Sequence, residues 1–125
     1  VIENKMKESS LIEQMMVIGA GRKFVSALIV PAFNNIRKTL KDQNPNKTFS
    51  DNNAELIQQP ETIALMQGVI DKYNPLFGHP EQIKKFTLLP QEWTIDSSEL
   101  TPTLKLKRKI IEQKYAARIE KLYEG

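Results

Sequence analysis

Two short apolar runs joined by a glycine-containing linker constrain the fold of this chain more than any other feature. Residues 15–18 form the first run, Gly19-Ala20-Gly21 follows, and residues 23–30, rich in Val, Ile and Leu, form the second run and end at Pro31. Two such runs around a short turn are typical of an antiparallel β-hairpin. Because both runs are almost continuously apolar, we expect a helix to cover at least one face of the hairpin.

The rest of the chain alternates amphipathic and polar segments. Apolar residues recur at helical spacing in several segments, whereas residues 82–89 are typical of a third strand and residues 43–53 of a polar loop. The predicted helices are the end of a helix over 1–9, then 32–42, a short one capped by Ser50 or Asp51 and running to 58, one from Pro60 to 74, and a final one over 107–123. Residues 93–95 are expected to add a short extended piece.

This order of elements predicts an α+β fold. We expect a small, mostly antiparallel sheet of about three strands, packed with helices and ending in an amphipathic C-terminal helix. The 125 residues suit one domain, residues 1–125. The longest apolar stretch, residues 25–33, falls far short of the ~20 residues that span a bilayer. The sequence contains no cysteine, which excludes disulfides and thiolate chemistry.

Positive charge is concentrated at the C-terminal end. Residues 101–125 carry seven Lys or Arg against three Glu, whereas the first hundred residues carry eleven basic and twelve acidic groups. Such an asymmetry indicates an anionic partner near the last segment, such as a nucleotide, a phosphate, nucleic acid or a membrane.

Several residue types that often carry chemistry are better explained as structural. Gly19-x-Gly21 lacks the third glycine of a dinucleotide fingerprint, since Phe24 stands there and a strand follows. The single histidine, His79, has no partners for catalysis or metal binding, so a surface-loop role is favoured. Arg22 and Lys23 lie at the hairpin tip, where they are either solvated turn charges or contacts for a phosphate.

The segment 99–109 is the most informative. A loop with two threonines leads into Lys105, Lys107, Arg108 and Lys109, directly before an amphipathic helix. Cations at a helix start gain nothing from the helix dipole, so solubility alone does not account for this cluster. The residues themselves leave solvated charge and an anion site equally open.

This segment resembles the C-terminal signature of long-chain fatty-acid–CoA ligases, members of the acyl-adenylate-forming superfamily. The resemblance is carried by ELTPTLKLKRKI followed by IEQKYAARIEKLY (99–123), and by IENKMKESSLIEQMMVIGAGRKFVSALIVP (2–31). HPEQIKKFTLLPQEWTIDSSELTPTLKLKR (79–108) also resembles the family's final strand and lysine loop. The blocks occur in the family's order, and residues 32–78 resemble it only loosely.

The resemblance implies a two-step reaction in which a fatty acid and ATP give an acyl-adenylate, and CoA then attacks it. The family's C-terminal domain rotates between the steps and supplies a lysine for adenylation, which by motif is Lys105. Lys107 remains the alternative, and the following Arg108 favours Lys105. Leu104 and Ser98 stand where the superfamily commonly has glycine.

The same resemblance implies the partners. ATP and Mg²⁺ would be bound mainly by a large N-terminal adenylation domain that is missing here together with the hinge, and CoA is the co-substrate. Arg22 and Lys23 are candidates for contacts with the CoA phosphates, and Lys107 and Arg108 for further cofactor contacts. We expect no nucleic-acid partner, a cytoplasmic location and no activity of the isolated domain. A noncatalytic nucleic-acid- or membrane-binding module is the rival interpretation, and peripheral membrane association of the full-length enzyme stays open.

Overall fold

The predicted hairpin is confirmed in the computed structural model, which describes residues 2–124. Strand β1 (Ile12–Ile18) pairs antiparallel with β2 (Val25–Pro31), with a bulge in β1 between Ile12 and Gln14. Gly21 has a φ of 72° in the connecting turn, a backbone conformation that glycine adopts without strain. The linker glycine therefore closes the hairpin as the sequence predicted.

A third strand, β3 (Ile83–Leu88), completes a sheet of order β1-β2-β3 and runs parallel to β2. Within residues 2–124 the helices are α1 (Ile2–Met6), α2 (Phe33–Gln43), α3 (Asn53–Leu56), α4 (Pro60–Tyr73), α5 (Arg108–Lys114) and α6 (Ala116–Leu122). Short 3-10 turns cover Asn74–Leu76 and His79–Glu81. The α+β class is confirmed. Val1, with which the predicted first helix begins, lies outside the described residues.

The two hairpin strands are buried on both faces, as their near-continuous apolar residues require. Alternate residues of the strands face opposite cores, so Met15 and Met16 belong to different clusters. Helices α1–α4 cover the face that contains Met15, whereas α5 and α6 cover the face that contains Met16. The basic C-terminal segment is therefore a separate layer of the domain.

The final helix is not continuous, which corrects the prediction of one helix over 107–123. Tyr115, at φ −110° and ψ 23°, separates α5 from α6. Ile111 and Ile119 are both buried against the sheet, one on each side of this break. The hydrophobic periodicity thus predicted the buried positions of this segment but not the break between its two helices.

The segment after β3 is anchored to β1 by side-chain contacts. Trp93 is 1% exposed, and its backbone N–H and C=O both bond to the side-chain amide of Gln14, at 2.6 and 2.8 Å. The predicted extended piece at 93–95 forms no strand, because Gln14 takes the backbone groups of Trp93 that a neighbouring strand would use. This anchor fixes where the lysine-containing loop begins.

Candidate functional site

Lys105 lies on a short hairpin loop whose base is held by backbone hydrogen bonds. Leu100 and Leu106 form an isolated antiparallel bridge. The Thr101 N–H donates to the Lys105 carbonyl at 2.8 Å, and the Lys107 N–H donates to the Glu99 carbonyl at 2.8 Å. These bonds give the lysine loop a defined shape.

The Lys105 side chain points away from the packed layer. Lys105 is exposed, and none of the salt bridges within residues 2–124 involves it. Its amide N–H donates to the Thr101 hydroxyl at 3.0 Å, so the backbone is fixed while the ammonium group is not. Such a group is available to an anion outside the described chain.

Two residues near the loop adopt the left-handed backbone conformation. Leu104 has a φ of 64° and Ser98 a φ of 73°. For an L-residue other than glycine this conformation costs about 1–2 kcal/mol. Both are positions at which the resemblance led us to expect glycine, which adopts such a φ without strain. Leu104 is also 67% exposed beside Lys105.

A buried carboxylate lies at the base of the loop. Glu99 is 2% exposed, and one of its oxygens accepts hydrogen bonds from the Thr94 N–H at 3.2 Å and from the Ser97 hydroxyl. The other oxygen accepts a hydrogen bond from the Lys114 ammonium at 2.6 Å. No sequence signal identifies this pair, since the two residues are 15 positions apart and lie on different elements.

The charge states of Glu99 and Lys114 follow from the contacts that the two side chains make. Burial by itself would raise the pKa of Glu99, but the hydrogen bonds from Lys114, Ser97 and Thr94 together outweigh it, and the pKa is lowered. The hydrogen bond to Glu99 likewise raises the pKa of Lys114. The two directions agree, so Glu99 and Lys114 are both charged at neutral pH.

The predicted phosphate contacts Arg22 and Lys23 differ in their surroundings. Arg22 forms a 2.7 Å salt bridge with Glu120 and lies over the Tyr123 ring, 4.9 Å from its centroid. Its pKa is raised, chiefly by the hydrogen bond to Glu120. Lys23 is exposed and forms none of the salt bridges of the described residues. Lys23 is therefore more available than Arg22 to bind an added anion.

The other two candidates, Lys107 and Arg108, also differ in their surroundings. Arg108 forms a 2.5 Å salt bridge with Glu3, which in turn accepts a 2.7 Å hydrogen bond from the Val17 N–H at the sheet edge. Lys107 is half-buried at the start of α5. Arg108 and Arg22 line one cavity of about 250 Å³, which Lys105, Lys107 and Lys23 do not reach. The structure thus splits the predicted cations into an exposed lysine loop and a cavity whose two arginines are already paired.

Tyr123 is a tethering residue that the sequence did not reveal. Its hydroxyl lies 2.8 Å from the Ser26 hydroxyl and donates to the Phe24 carbonyl at 2.8 Å. Its ring stacks on Phe24 with a centroid separation of 4.5 Å. The end of α6 is thereby fixed to the hairpin that carries Arg22.

The described residues provide neither a metal cluster nor a membrane-spanning helix. No group of three or more His, Asp or Glu side chains within residues 2–124 could hold a metal ion. Over the same residues, no helix has both the length and the apolar character to cross a bilayer.

Comparison with known proteins identifies the family. The family model described as AMP-binding enzyme C-terminal domain matches residues 1–125. Long-chain-fatty-acid–CoA ligase FadD15 of Mycobacterium tuberculosis is 35% identical over 126 residues, covering 98% of this chain and 20% of that protein. Long-chain-fatty-acid–CoA ligase ACSBG1 of Homo sapiens is 28% identical over 143 residues, covering 98% and 19%. These relatives confirm the predicted resemblance, and the chain spans about a fifth of their length.

Solved structures share the fold. The A-PCP didomain of carboxylic acid reductase from Segniliparus rugosus, in complex with AMP, aligns with a TM-score of 0.73 at 19% identity, over 98% of this chain and 15% of that one. The adenylation domain of the carboxylate reductase from Mycobacterium chelonae aligns with a TM-score of 0.67 at 23% identity, over 98% and 17%. At these identities the likeness concerns the fold alone. With the family match spanning its whole length, the chain belongs to the C-terminal domain family of AMP-binding enzymes.

Proposed function

We propose that this chain is the mobile C-terminal domain of an ATP-dependent long-chain fatty-acid–CoA ligase, and that Lys105 acts in its adenylation step. Relatives named as long-chain-fatty-acid–CoA ligases support the enzyme class. In the proposed reaction a fatty acid and ATP give an acyl-adenylate and pyrophosphate, and CoA then displaces AMP to give acyl-CoA. Residues 1–125 are one domain of that longer enzyme, and they are inactive alone.

The single observation that carries the proposal is the state of the Lys105 side chain. It is exposed and forms no salt bridge with residues 2–124, whereas the loop beneath it is held by hydrogen bonds at both ends. A cation presented in this way is suited to contact a ligand on a facing domain. Lys107 is half-buried and starts α5, so it is the less accessible alternative.

Electrostatics explains why adenylation needs such a group. The fatty-acid carboxylate must approach a triphosphate, and both are anionic, so a cation between them stabilises the transition state. At an effective dielectric near 20 and a separation of ~4 Å, one such contact contributes about 4 kcal/mol. Lys105 makes this contact in one orientation of the domain and leaves when the domain rotates for thioester formation.

ATP and Mg²⁺ are held mainly by the adenylation domain in this proposal. CoA phosphates are proposed to lie near Lys23, with Arg22 joining only if it exchanges Glu120 for the phosphate. Lys23→Ala is expected to raise the KM for CoA, and an unchanged KM would remove Lys23 from the proposal.

Half-reaction assays on the full-length enzyme test the role of Lys105. Lys105→Ala is expected to slow adenylation by roughly 10²–10³-fold, the loss found when one electrostatic stabiliser is removed. Attack of CoA on preformed acyl-adenylate is expected to change far less. Lys109→Ala removes an exposed neighbouring charge and serves as the matched control.

The same assays separate the alternatives. If Lys107→Ala gives the adenylation defect and Lys105→Ala does not, the role passes to Lys107. Equal losses in both half-reactions for Lys105→Ala would contradict a role confined to adenylation.

A further inference from the structure

Glu99 is the charged residue that the fold buries most deeply among residues 2–124, at 2% exposure. Burying a carboxylate is costly unless its oxygens are paired and hydrogen-bonded. Here one oxygen bonds to Thr94 and Ser97, on the chain before the lysine loop, and the other bonds to Lys114, at the end of α5 after the loop. The carboxylate therefore links the segments that enter and leave the Lys105 loop.

The backbone of Glu99 is part of the same junction. Its carbonyl accepts the Lys107 N–H at 2.8 Å, and the next residue, Leu100, bridges to Leu106. The loop that carries Lys105 thus begins at Glu99 and ends at Lys107, whose N–H bonds back to the Glu99 carbonyl. Leu100 and Leu106 at the loop base pack in the cluster that contains Ile111 of α5, and the side-chain contacts of Glu99 add a directional polar link between the loop and that helix.

We propose that Glu99 and Lys114 are positioning residues that hold the Lys105 loop at a fixed orientation to α5. The proposal rests on the proposed role of Lys105 in adenylation. A displacement of about 1 Å far from the reacting atoms can slow a reaction by about 100-fold, so the orientation of the loop matters for a lysine that must contact the reacting anions. Lys114 acts through Glu99 and touches no reactant.

The two members of this pair differ in exposure, unlike those of an ordinary surface ion pair. Lys114 keeps 45% of its side chain exposed, whereas Glu99 keeps only 2%. Replacing Lys114 disturbs little packing, because its side chain is half-exposed, but it removes the charge partner of a buried carboxylate. Lys114→Met thus changes an exposed position but acts at the base of the loop, where it leaves the Glu99 carboxylate unpaired.

Adenylation kinetics of the full-length enzyme test the proposal. Glu99→Gln and Lys114→Met are each expected to lower the kcat of adenylation by about 10- to 100-fold, with a smaller effect on thioester formation. Lys114→Arg keeps the charge and is expected to restore most of the rate. Lys109→Met, an exposed substitution on the same helix, is the matched control and is expected to leave the rate unchanged.

A readout that a merely structural role would not change comes from the Lys105→Ala background. If Glu99 acts through Lys105, adding Glu99→Gln or Lys114→Met to Lys105→Ala gives little further loss. An equal additional loss in that background would overturn the proposal, since the substitutions would then act through general instability. Because Lys114→Met leaves the buried Glu99 carboxylate without its charged partner, Glu99→Gln keeps the test valid if the Lys114 variant fails to fold.

Hydrogen exchange separates failure of the tether from failure of the proposed function. If Lys105→Ala leaves adenylation unchanged, the proposed function fails, and the tether is judged from amide exchange in the full-length enzyme. Faster exchange at Thr94 and Lys107, whose N–H groups bond to Glu99, in Lys114→Met, with unchanged exchange in the β-sheet, would support the tether. Unchanged exchange at both amides would overturn it.

Discussion

Replacing Tyr123 by Phe tests how the C-terminal helix is held to the sheet. The substitution keeps the ring stacked on Phe24 and under Arg22 but removes the hydroxyl that contacts the Ser26 hydroxyl and the Phe24 carbonyl, each at 2.8 Å. Ser26 is fully buried, so its hydroxyl would lose a partner that water cannot replace. Leaving a buried polar group unsatisfied costs about 1–3 kcal/mol, and we expect a loss of about 2 kcal/mol in the free energy of unfolding.

Equilibrium unfolding of this chain in urea measures the loss. Tyr115→Phe is the matched control, because the Tyr115 hydroxyl forms none of the side-chain hydrogen bonds found within residues 2–124, and it is expected to change stability little. The double variant Ser26→Ala/Tyr123→Phe removes both partners and is expected to be less destabilised than the sum of the single variants. Strictly additive effects, or a loss below about 0.5 kcal/mol for Tyr123→Phe, would refute the reasoning.

Two further predictions concern the lysine loop. Ser98→Gly and Leu104→Gly relieve a left-handed conformation that costs about 1–2 kcal/mol, offset by about 0.5–1 kcal/mol for the greater freedom of unfolded glycine. We expect net gains of up to about 1.5 kcal/mol in urea unfolding at either position; a loss of stability at Ser98 would argue against strain there. The pKa of Glu99 is lowered on folding, so its contribution to stability is present above the ordinary glutamate pKa of about 4.3 and is lost as pH falls through the lower folded value. Glu99→Gln is therefore expected to flatten the acid limb of stability against pH, and parallel curves for the two proteins would contradict it.

The elements that the sequence predicted well are those with a local signal. The strands of the hairpin and the helix beginning at Pro60 are marked by runs of apolar residues, by glycine or by proline within the same segment. Such signals act between neighbours along the chain, so they survive without knowledge of the rest of the fold. The resemblance of residues 99–110 to a lysine-loop signature belongs with them, since a motif is also a local pattern.

The backbone conformation of the lysine loop could not be predicted from local sequence signals in the same way. Leucine disfavours a φ of 64°, so nothing in Leu104 itself predicts the turn that it occupies. Only the substitution of leucine for an expected glycine pointed to this position. The loop is held by hydrogen bonds that Thr101, Lys105 and Lys107 form across its base, and these bonds exist only in the folded loop.

By itself, the sequence determined the α+β class, the hairpin, most helix positions and the place of Lys105 ahead of the last helical segment. Only the tertiary structure decided which charges are free and which are paired. Arg22 meets Glu120 across 98 positions and Arg108 meets Glu3 across 105, while Lys105 stays unpaired within the described chain. Hydrophobic periodicity records which face of an element is buried, but an ion pair depends on how distant elements pack, and that is decided by the whole fold.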